Sequence, residues 1–177
     1  MLIALALPAI AGARASAKRV RCMANLHSMG QAIIMYQGDN DGIIPWAVLP
    51  IDVRLQWTDP LGAIAEYLEV EPPSLSERGE VLTREPWTCP SDTAEGLEDG
   101  TSYIYTPYDF MSIDPSPNPG RLITMIYEIQ NWFPLMIDQN MLHTEGIDST
   151  IRTRNVLLLS GVVEPGDPDK HKRPSGG

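Results

Sequence analysis

The sequence predicts an α+β fold, with a long N-terminal α-helix packed on a C-terminal antiparallel β-sheet. Residues 1–37 contain a single helix breaker, Pro8, and the strand-like segments follow one another in the C-terminal part of the chain. Helices that precede a run of strands with short connections are typical of this class. A chain of 177 residues that is 43% hydrophobic can bury the core of one ordinary domain. We therefore expect a stem helix over 1–38, a globular head over 39–165 and a disordered tail over 166–177.

The C-terminal half of the stem helix is predicted to be amphipathic. Its apolar residues are spaced by three and four positions, which is the pattern of a helix with one buried face. The residues expected to pack on the head are Cys22, Leu26, Met29, Ile33 and Tyr36. The helix should end near Gly38, because the sequence Gly-Asp-Asn-Asp-Gly at 38–42 favours turns and left-handed conformations. Pro8 should bend the helix modestly.

The N-terminal half of the stem helix is apolar all round. The first 13 residues carry no charge, but about 20 apolar residues are needed to cross a bilayer. A signal peptide would place positive charge before its apolar run, whereas here the charge follows it. Two interpretations remain, a partial membrane segment that packs against neighbouring subunits and a buried helix of a soluble domain. On the first interpretation the stem residues are Leu2, Ile3, Leu5, Leu7, Pro8 and Ile10.

Charge is unevenly distributed along the chain. The formal net charge is -10, yet none of the 23 acidic residues precedes Asp39. Four basic residues crowd one short stretch of the stem, namely Arg14, Lys18, Arg19 and Arg21. The acidic excess excludes a general nucleic-acid binder, because phosphate backbones require a basic surface. The basic stretch fits contact with lipid head groups or with acidic residues of a neighbouring subunit, and it equally fits a solvated helix face.

The head is predicted to begin with a short helix and to end with strands. Asp59 is expected to cap a helix whose first residue is Pro60 and which runs through Leu68. Residues 70–101 are rich in Glu, Ser, Pro, Gly and Asp and should be dominated by loops. Strands are predicted at Ser102–Tyr108, Leu122–Glu128, Pro134–Asp138 and Asn155–Glu164.

Several residues are candidates for a chemical role. Cys22 and Cys89 can form one disulfide if the head lies outside the cytoplasm, or they can remain two buried thiols. Three residues fit a metal site or an acid–base pair, although they also fit a polar surface: Asp138, His143 and Glu145. Four aspartates offer oxygen ligands for calcium, but helix-ending turns explain them better: Asp39, Asp41, Asp92 and Asp99.

Aromatic residues and histidines are expected to be structural. The tryptophans could form a sugar-stacking surface, although packing is the more frequent use of this side chain: Trp46, Trp57, Trp87 and Trp132. His27 is expected on the helix surface or against the sheet and not as a general base. The sequence shows no nucleophile beside its base, no phosphate-binding glycine loop and no pair of metal ligands on one helix, and we predict no cofactor.

Short motifs also occur in a specific order and spacing. The strongest run extends from Leu2 to Pro45 and includes Cys22-Met-Ala-Asn-Leu and Gly30-Gln-Ala-Ile. Later members are Trp57–Leu68, Cys89–Asp92, Ser102–Tyr105, Pro134–Asp138 and Arg154–Gly161. In these motifs the chain resembles the bacterial prepilin-type N-terminal cleavage/methylation superfamily, and most of all its pseudopilin-like branch.

The resemblance implies a type IV pilin-like fold and a non-catalytic, pseudopilin-like subunit of a type II secretion or type IV pilus-like assembly. Such a subunit enters the cytoplasmic membrane through its stem, places its head in the periplasm or outside the cell, and contacts other pilin or pseudopilin subunits. An alternative function is a membrane-anchored extracytoplasmic binding module, for example for a carbohydrate. A third is a periplasmic hydrolase centred on Asp138 and His143.

The sequence departs from the superfamily at both ends. Members begin with a short basic leader and Gly-Phe-Thr-Leu-Ile-Glu, which are not found here, so the resemblance predicts a truncated chain or a start codon assigned too late. Members also carry a histidine nine residues before Asp-Gly-His. The corresponding positions here are Thr150, Ser160, Gly161 and Val162, so no ligand role of that motif is carried over.

Overall fold

The computed structural model of the chain describes residues 2–47, 51–56, 58–92, 98–112, 119–139, 143–145 and 148–166. Its helices are α1 (Leu2–Asp39), α2 (Asp59–Leu68), α3 (Tyr108–Met111) and α4 (Pro119–Ile129), with a 3₁₀ turn at Val53–Leu55. Its strands are β1 (Ser74–Leu75), β2 (Val81–Leu82), β3 (Tyr103–Tyr105), β4 (Pro134–Asp138), β5 (His143–Glu145), β6 (Asp148–Leu158) and β7 (Val163–Gly166). The predicted α+β class, with a long N-terminal helix and a C-terminal antiparallel sheet, is confirmed.

The main sheet has five antiparallel strands and is organised around β6. β3 pairs with β4, β4 pairs with β6, and both β5 and β7 also pair with β6. The first part of β6 faces β5, with Arg152 opposite Thr144, and its last part faces β4, with Leu157 opposite Met136. β1 and β2 form a separate two-stranded ribbon.

α1 packs its C-terminal half against α2 and the sheet. At Gly30 the helix approaches β6 so closely that a Cβ atom would lie 2.7 Å from Leu157 Cδ1. The helix ends at Asp39, next to the predicted end. The backbone N–H of Gly42 donates to the carbonyl of Gln37 at 2.8 Å, and Gly42 has a φ of 75°, so this glycine satisfies one of the last helix carbonyls.

α2 ends at the predicted residue, Leu68, but it begins at Asp59, one residue earlier than predicted, and its cap is different. Thr58 is the N-cap residue and makes no side-chain cap hydrogen bond, whereas Asp59 and Pro60 lie inside the first turn. The prediction that Asp59 caps the helix is therefore wrong. Pro60 lacks an N–H, which reduces the need for a side-chain acceptor at this end. Asp59 still places a negative charge beside the N-terminus, where the helix dipole favours it.

The segment Leu122–Glu128, predicted to be a strand, lies inside helix α4. Ile123, Thr124 and Tyr127 are buried, and their spacing of one, three and four residues matches a helix face. The Thr124 hydroxyl donates to the Gly120 carbonyl at 2.7 Å, one helical turn back. The β-branched residues of this segment suggested a strand, but packing of the helical face on the core overrides that local preference.

Other boundaries also differ from the prediction. The strand expected at Ser102–Tyr108 is limited to β3, because α3 begins at Tyr108. The strand expected at Asn155–Glu164 is divided into β6 and β7 by a turn in which Gly161 has a φ of 80°. The loop region 70–101 contains the β1–β2 ribbon. Gly166, placed in the tail by the sequence, belongs to β7, and residues 167–177 lie outside the described residues.

The core lies between α1, α2, α4 and the sheet. Its largest fully buried side chains include Trp87, Tyr103, Tyr127, Leu26, Met29, Ile33, Leu135 and Met136. Three aromatic rings of the core pack together. The ring centroids of Phe110 and Phe133 are 5.5 Å apart, and those of Tyr127 and Phe133 are 5.6 Å apart. Edge-to-face contacts of this kind add to the burial of each ring.

Candidate assembly surface

The N-terminal part of α1 leaves the head. Of the side chains from Ile10 to Arg21, all are exposed except that of Arg19, which is half-buried. We call this exposed helical segment the projecting stem. Ile10 is 49% exposed and Val20 is 65% exposed, so two large apolar side chains lie open to solvent on it. In the described part of the chain, no helix combines the length and the hydropathy needed to cross a bilayer.

The predicted stem residues lie at and before the start of this segment. Ile10 is its first residue, while the side chains of the others lie outside the described part of the structure: Leu2, Ile3, Leu5, Leu7 and Pro8. Their backbone belongs to α1. Along the projecting stem, apolar and small residues recur at spacings of three and four positions, which places them along one side of the helix. These residues are Ile10, Ala13, Ala17 and Val20.

The residues expected to pack on the head do so immediately after the projecting stem. Cys22, Leu26, Met29 and Ile33 are at most 1% exposed. Tyr36 is half-buried, and its ring meets that of Tyr67 on α2 edge-on, with centroids 6.3 Å apart. The first fully buried side chain of α1 among the described ones is therefore that of Cys22, and from there on one face of the helix is buried.

Several bonds attach α1 to the head at the point where the projecting stem begins. Cys22 and Cys89 form a disulfide, which joins the helix to the irregular segment that follows Trp87. The Asn25 amide donates to the Thr88 carbonyl at 2.9 Å, and the Arg21 guanidinium lies 2.8 Å from the Glu85 carboxylate. Covalent, neutral and ionic contacts therefore all attach the base of the projecting stem to the head.

Two further contacts join this part of α1 to the sheet and to its β6–β7 turn. The Tyr103 hydroxyl on β3 donates to the Cys22 carbonyl at 3.4 Å. The His27 ring nitrogen Nδ1 lies 3.2 Å from the carbonyl of Gly161, in the turn between β6 and β7. This is the helix–sheet contact expected for His27. Burial raises the pKa of Tyr103 and of Tyr105, because both phenols would ionise away from water.

Of the three residues predicted as a metal site or acid–base pair, only Asp138 has a described side chain. Asp138 is fully buried, and one of its carboxylate oxygens accepts a hydrogen bond from the Asn155 backbone N–H at 2.6 Å. The carboxylate thus links β4 to β6. The side chains of His143 and Glu145 on β5 lie outside the described part of the structure. No group of three or more metal-ligating side chains is found among the described residues.

The four aspartates considered for calcium have separate contacts. Asp39 accepts a hydrogen bond from the Tyr67 hydroxyl at 3.0 Å, and Asp41 lies in the turn after α1 with a φ of 53°. Asp99 accepts from Arg54 and from Gln139, each at 2.8 Å. The backbone N–H of Asp92 donates to the Cys89 carbonyl at 2.9 Å.

The tryptophans do not form one exposed surface. Trp87 is fully buried, and its indole N–H donates to the Glu71 carbonyl at 2.8 Å. Trp132 is half-buried beside Phe133, with ring centroids 5.0 Å apart, whereas Trp46 is 40% exposed. Trp57 lies outside the described residues. The hypothesis of a surface built from all four tryptophans is therefore wrong, because Trp87 belongs to the core.

A second exposed apolar surface was missed by sequence reasoning. On α4, three large apolar side chains point away from the core and are 41%, 49% and 73% exposed: Leu122, Met125 and Ile129. The signal was present as a spacing of three and four residues, but it was hidden by the prediction of a strand over the same segment. We call this surface the α4 stripe.

Searches of protein-family models, of curated proteins and of solved structures find no match to this chain. The fold and the surface define a class in structural terms, an α+β domain that carries a projecting helical stem.

Proposed function

We propose that the chain is a non-catalytic, pilin-like subunit that assembles through its stem, as in a type II secretion or type IV pilus-like structure. The observation that carries this proposal is the projecting stem itself, which leaves a solvent-exposed apolar side on a helix that is otherwise firmly attached to the head. An exposed apolar helix side is stabilised when another helix or a membrane covers it.

The charge distribution supports the same function. The projecting stem contains the basic residues Arg14, Lys18, Arg19 and Arg21, whereas every acidic residue of the chain lies at or after Asp39. Opposite charges at the two ends favour ordered contacts between copies, and the basic residues also suit anionic lipid head groups. The stem is therefore suited to a position at the membrane surface with the head outside it.

The disulfide supports an extracytoplasmic head. Cys22 and Cys89 are bonded to each other, and disulfides persist mainly in oxidising compartments such as the periplasm. A head in the periplasm, a stem at the cytoplasmic membrane and other pilin-like subunits as partners form one consistent proposal.

The test is site-specific photo-crosslinking in the native host, with the chain expressed from its own gene. A photoreactive amino acid replaces Ala17 in the projecting stem, and in the matched control it replaces Glu77, an exposed residue of the β1–β2 turn. We expect covalent multimers from position 17 in the membrane fraction, and few or none from position 77. A monomeric, soluble product at position 17 would contradict the proposal.

A further inference from the structure

The Cys22–Cys89 disulfide lies inside the folded molecule. Cys22 on α1 is 0% exposed, and Cys89 is 2% exposed. The Cys89 sulfur also accepts a hydrogen bond from the Ser91 backbone N–H at 3.4 Å. Disulfides form and break when a thiolate reaches a sulfur atom, so the rate depends on access to that atom. In the folded chain, neither sulfur is open to a reagent in solution.

Residues 87–89, which we call the closing segment, cover the bond and are attached on two sides. The backbone N–H of their last residue donates to the Ser102 hydroxyl at 2.9 Å, and the Ser102 N–H donates to the carbonyl of their first residue at 3.0 Å. The Asn25 amide on α1 donates to the Thr88 carbonyl at 2.9 Å. Trp87 is 0% exposed. Exposure of the Cys89 sulfur therefore requires the closing segment to detach from α1 or from Ser102.

The closing segment reaches α1 from a distant part of the chain. Cys22 and Cys89 are separated by 67 positions, so folding itself brings the two cysteines together. During folding there is a stage at which the two thiols are close to each other and still open to solvent. Docking of the closing segment ends this stage, because it buries both sulfur atoms.

We infer that a disulfide oxidant acts on this chain before the closing segment docks, and that docking then encloses the bond. The thiolate of one cysteine attacks the disulfide of the oxidant, which forms a mixed disulfide and releases one oxidant thiol. The thiolate of the other cysteine attacks the sulfur of the first, which forms the Cys22–Cys89 bond and releases the second oxidant thiol. Two electrons pass to the oxidant, and the two protons of the cysteine thiols end on its two thiols.

This order has a consequence for the projecting stem. The Arg21 guanidinium lies 2.8 Å from the carboxylate of Glu85, which comes just before the closing segment. The contacts that attach the base of the stem to the head are therefore completed when the closing segment docks, after oxidation. The inference depends on the disulfide and its burial and not on the proposed assembly, so each can fail without the other.

The enclosure of the bond is tested on the purified full chain. Oxidised protein is incubated with dithiothreitol in native buffer and in denaturing urea, and free thiols are alkylated and counted by mass spectrometry. We expect reduction to be at least about a hundredfold slower in native buffer, because it requires an opening of the folded structure. Glutathione disulfide, treated in the same way, controls for the effect of urea on the exchange reaction. Equal rates in the two buffers would overturn the inference.

Two asparagine substitutions test the part played by the closing segment. Asn25→Ala removes the amide that bonds the Thr88 carbonyl, so it should speed reduction in native buffer about tenfold. In the control, Asn40→Ala removes a similar bond to the Tyr36 carbonyl, in the turn after α1, and should change the rate much less. Equal acceleration by the two variants would overturn the inference, because the whole fold and not the closing segment would then cover the bond.

The order of events is tested by refolding. Reduced, unfolded chain is diluted from urea into native buffer, and glutathione disulfide is added after increasing delays. We expect the rate of bond formation to fall with the delay, because docked chains have buried their thiols. A reduced chain that stays unfolded by near-UV circular dichroism would equally support the order, because docking would then require the bond. Rapid oxidation of a fully folded, reduced chain after a long delay would overturn it.

Discussion

At the scale of single residues, three buried tyrosines join segments that are distant in the sequence. The hydroxyl of Tyr105 donates to the Pro45 carbonyl at 2.8 Å, and that of Tyr127 lies 2.8 Å from the Thr106 hydroxyl. Burial raises the pKa of Tyr103, Tyr105 and Tyr127 above the ordinary value. The folded protein therefore keeps these phenols protonated at a pH where the unfolded chain has begun to release its protons.

These shifts predict alkaline destabilisation. Above a pH of about 10 the unfolded state loses phenolic protons and the folded state does not, so the free energy of unfolding should fall as the pH rises, by up to about 1.4 kcal/mol per pH unit for each tyrosine. Urea unfolding between pH 8 and pH 11 measures the slope. Tyr105→Phe should make the slope shallower, whereas Tyr67→Phe, at a surface phenol bonded to Asp39, should change it much less. Equal slopes in the two variants would contradict the attribution of the alkaline destabilisation to the burial of Tyr105.

Gly30 shows how one residue sets a helix–sheet distance. A Cβ atom there would lie 2.7 Å from the buried Leu157 side chain, so Gly30→Val should lower the free energy of unfolding by roughly 1–3 kcal/mol through overpacking. Gly62 lies inside α2 with no atom within 4 Å of an added Cβ, so Gly62→Ala should instead raise stability, by up to about 1 kcal/mol. Urea unfolding of both variants tests the contact. Unchanged stability of Gly30→Val would show that helix and strand separate easily.

At the scale of elements, the disulfide is the main link between α1 and the irregular segment before β3. It joins residues separated by 67 positions, and closing a loop of this length is worth roughly 4 kcal/mol in the chain-entropy account. Both cysteines are at most 2% exposed. The bond therefore stabilises the region that holds the base of the projecting stem.

Removal of this bond should weaken the whole domain. Combined Cys22→Ala and Cys89→Ala substitutions should lower the free energy of unfolding by about 2–4 kcal/mol, as measured by urea unfolding. Reduction of the unsubstituted protein with dithiothreitol should have a similar effect. Mass spectrometry after thiol alkylation provides the control, because two free thiols in the oxidised protein would contradict the bond.

At the scale of the whole molecule, charge is separated between stem and head. Four of the 13 basic residues and none of the 23 acidic residues precede Asp39. If copies associate as proposed, contact between the basic stem of one copy and an acidic head should be partly electrostatic, and dissolved salt screens attraction between exposed charges.

Self-association should accordingly depend on salt and on the stem charges. Raising sodium chloride from about 50 to 500 mM should weaken association by about tenfold, as measured by analytical ultracentrifugation in detergent. Combined Arg14→Glu and Lys18→Glu substitutions should weaken it at low salt. The control variant, Arg78→Glu with Arg84→Glu, makes the same change in net charge at exposed positions of the head and should weaken it less. Equal effects in the two variants would show that net charge alone is responsible.

Local patterns predicted much of this architecture. The spacing of Leu26, Met29 and Ile33 indicated the buried face of α1, and the glycine-rich turn indicated its end. The segment Pro134–Asp138 was predicted as a strand with the bounds that the structure shows. Each of these features depends on side chains within one or two turns of each other, or on alternation within one strand, so sequence reasoning can detect it.

The sequence by itself determined the α+β class, the extent of α1 and α2, and the separation of charge. Each of these features depends on residues that lie close together in the sequence. Only the tertiary structure decided that residues 119–129 are a helix with an exposed stripe, that Cys22 lies against Cys89, and that Trp87 is buried. These features depend on contacts between distant segments. The local preferences of α4 suit either structure, and packing of Tyr127 and Ile123 on the core selects the helix.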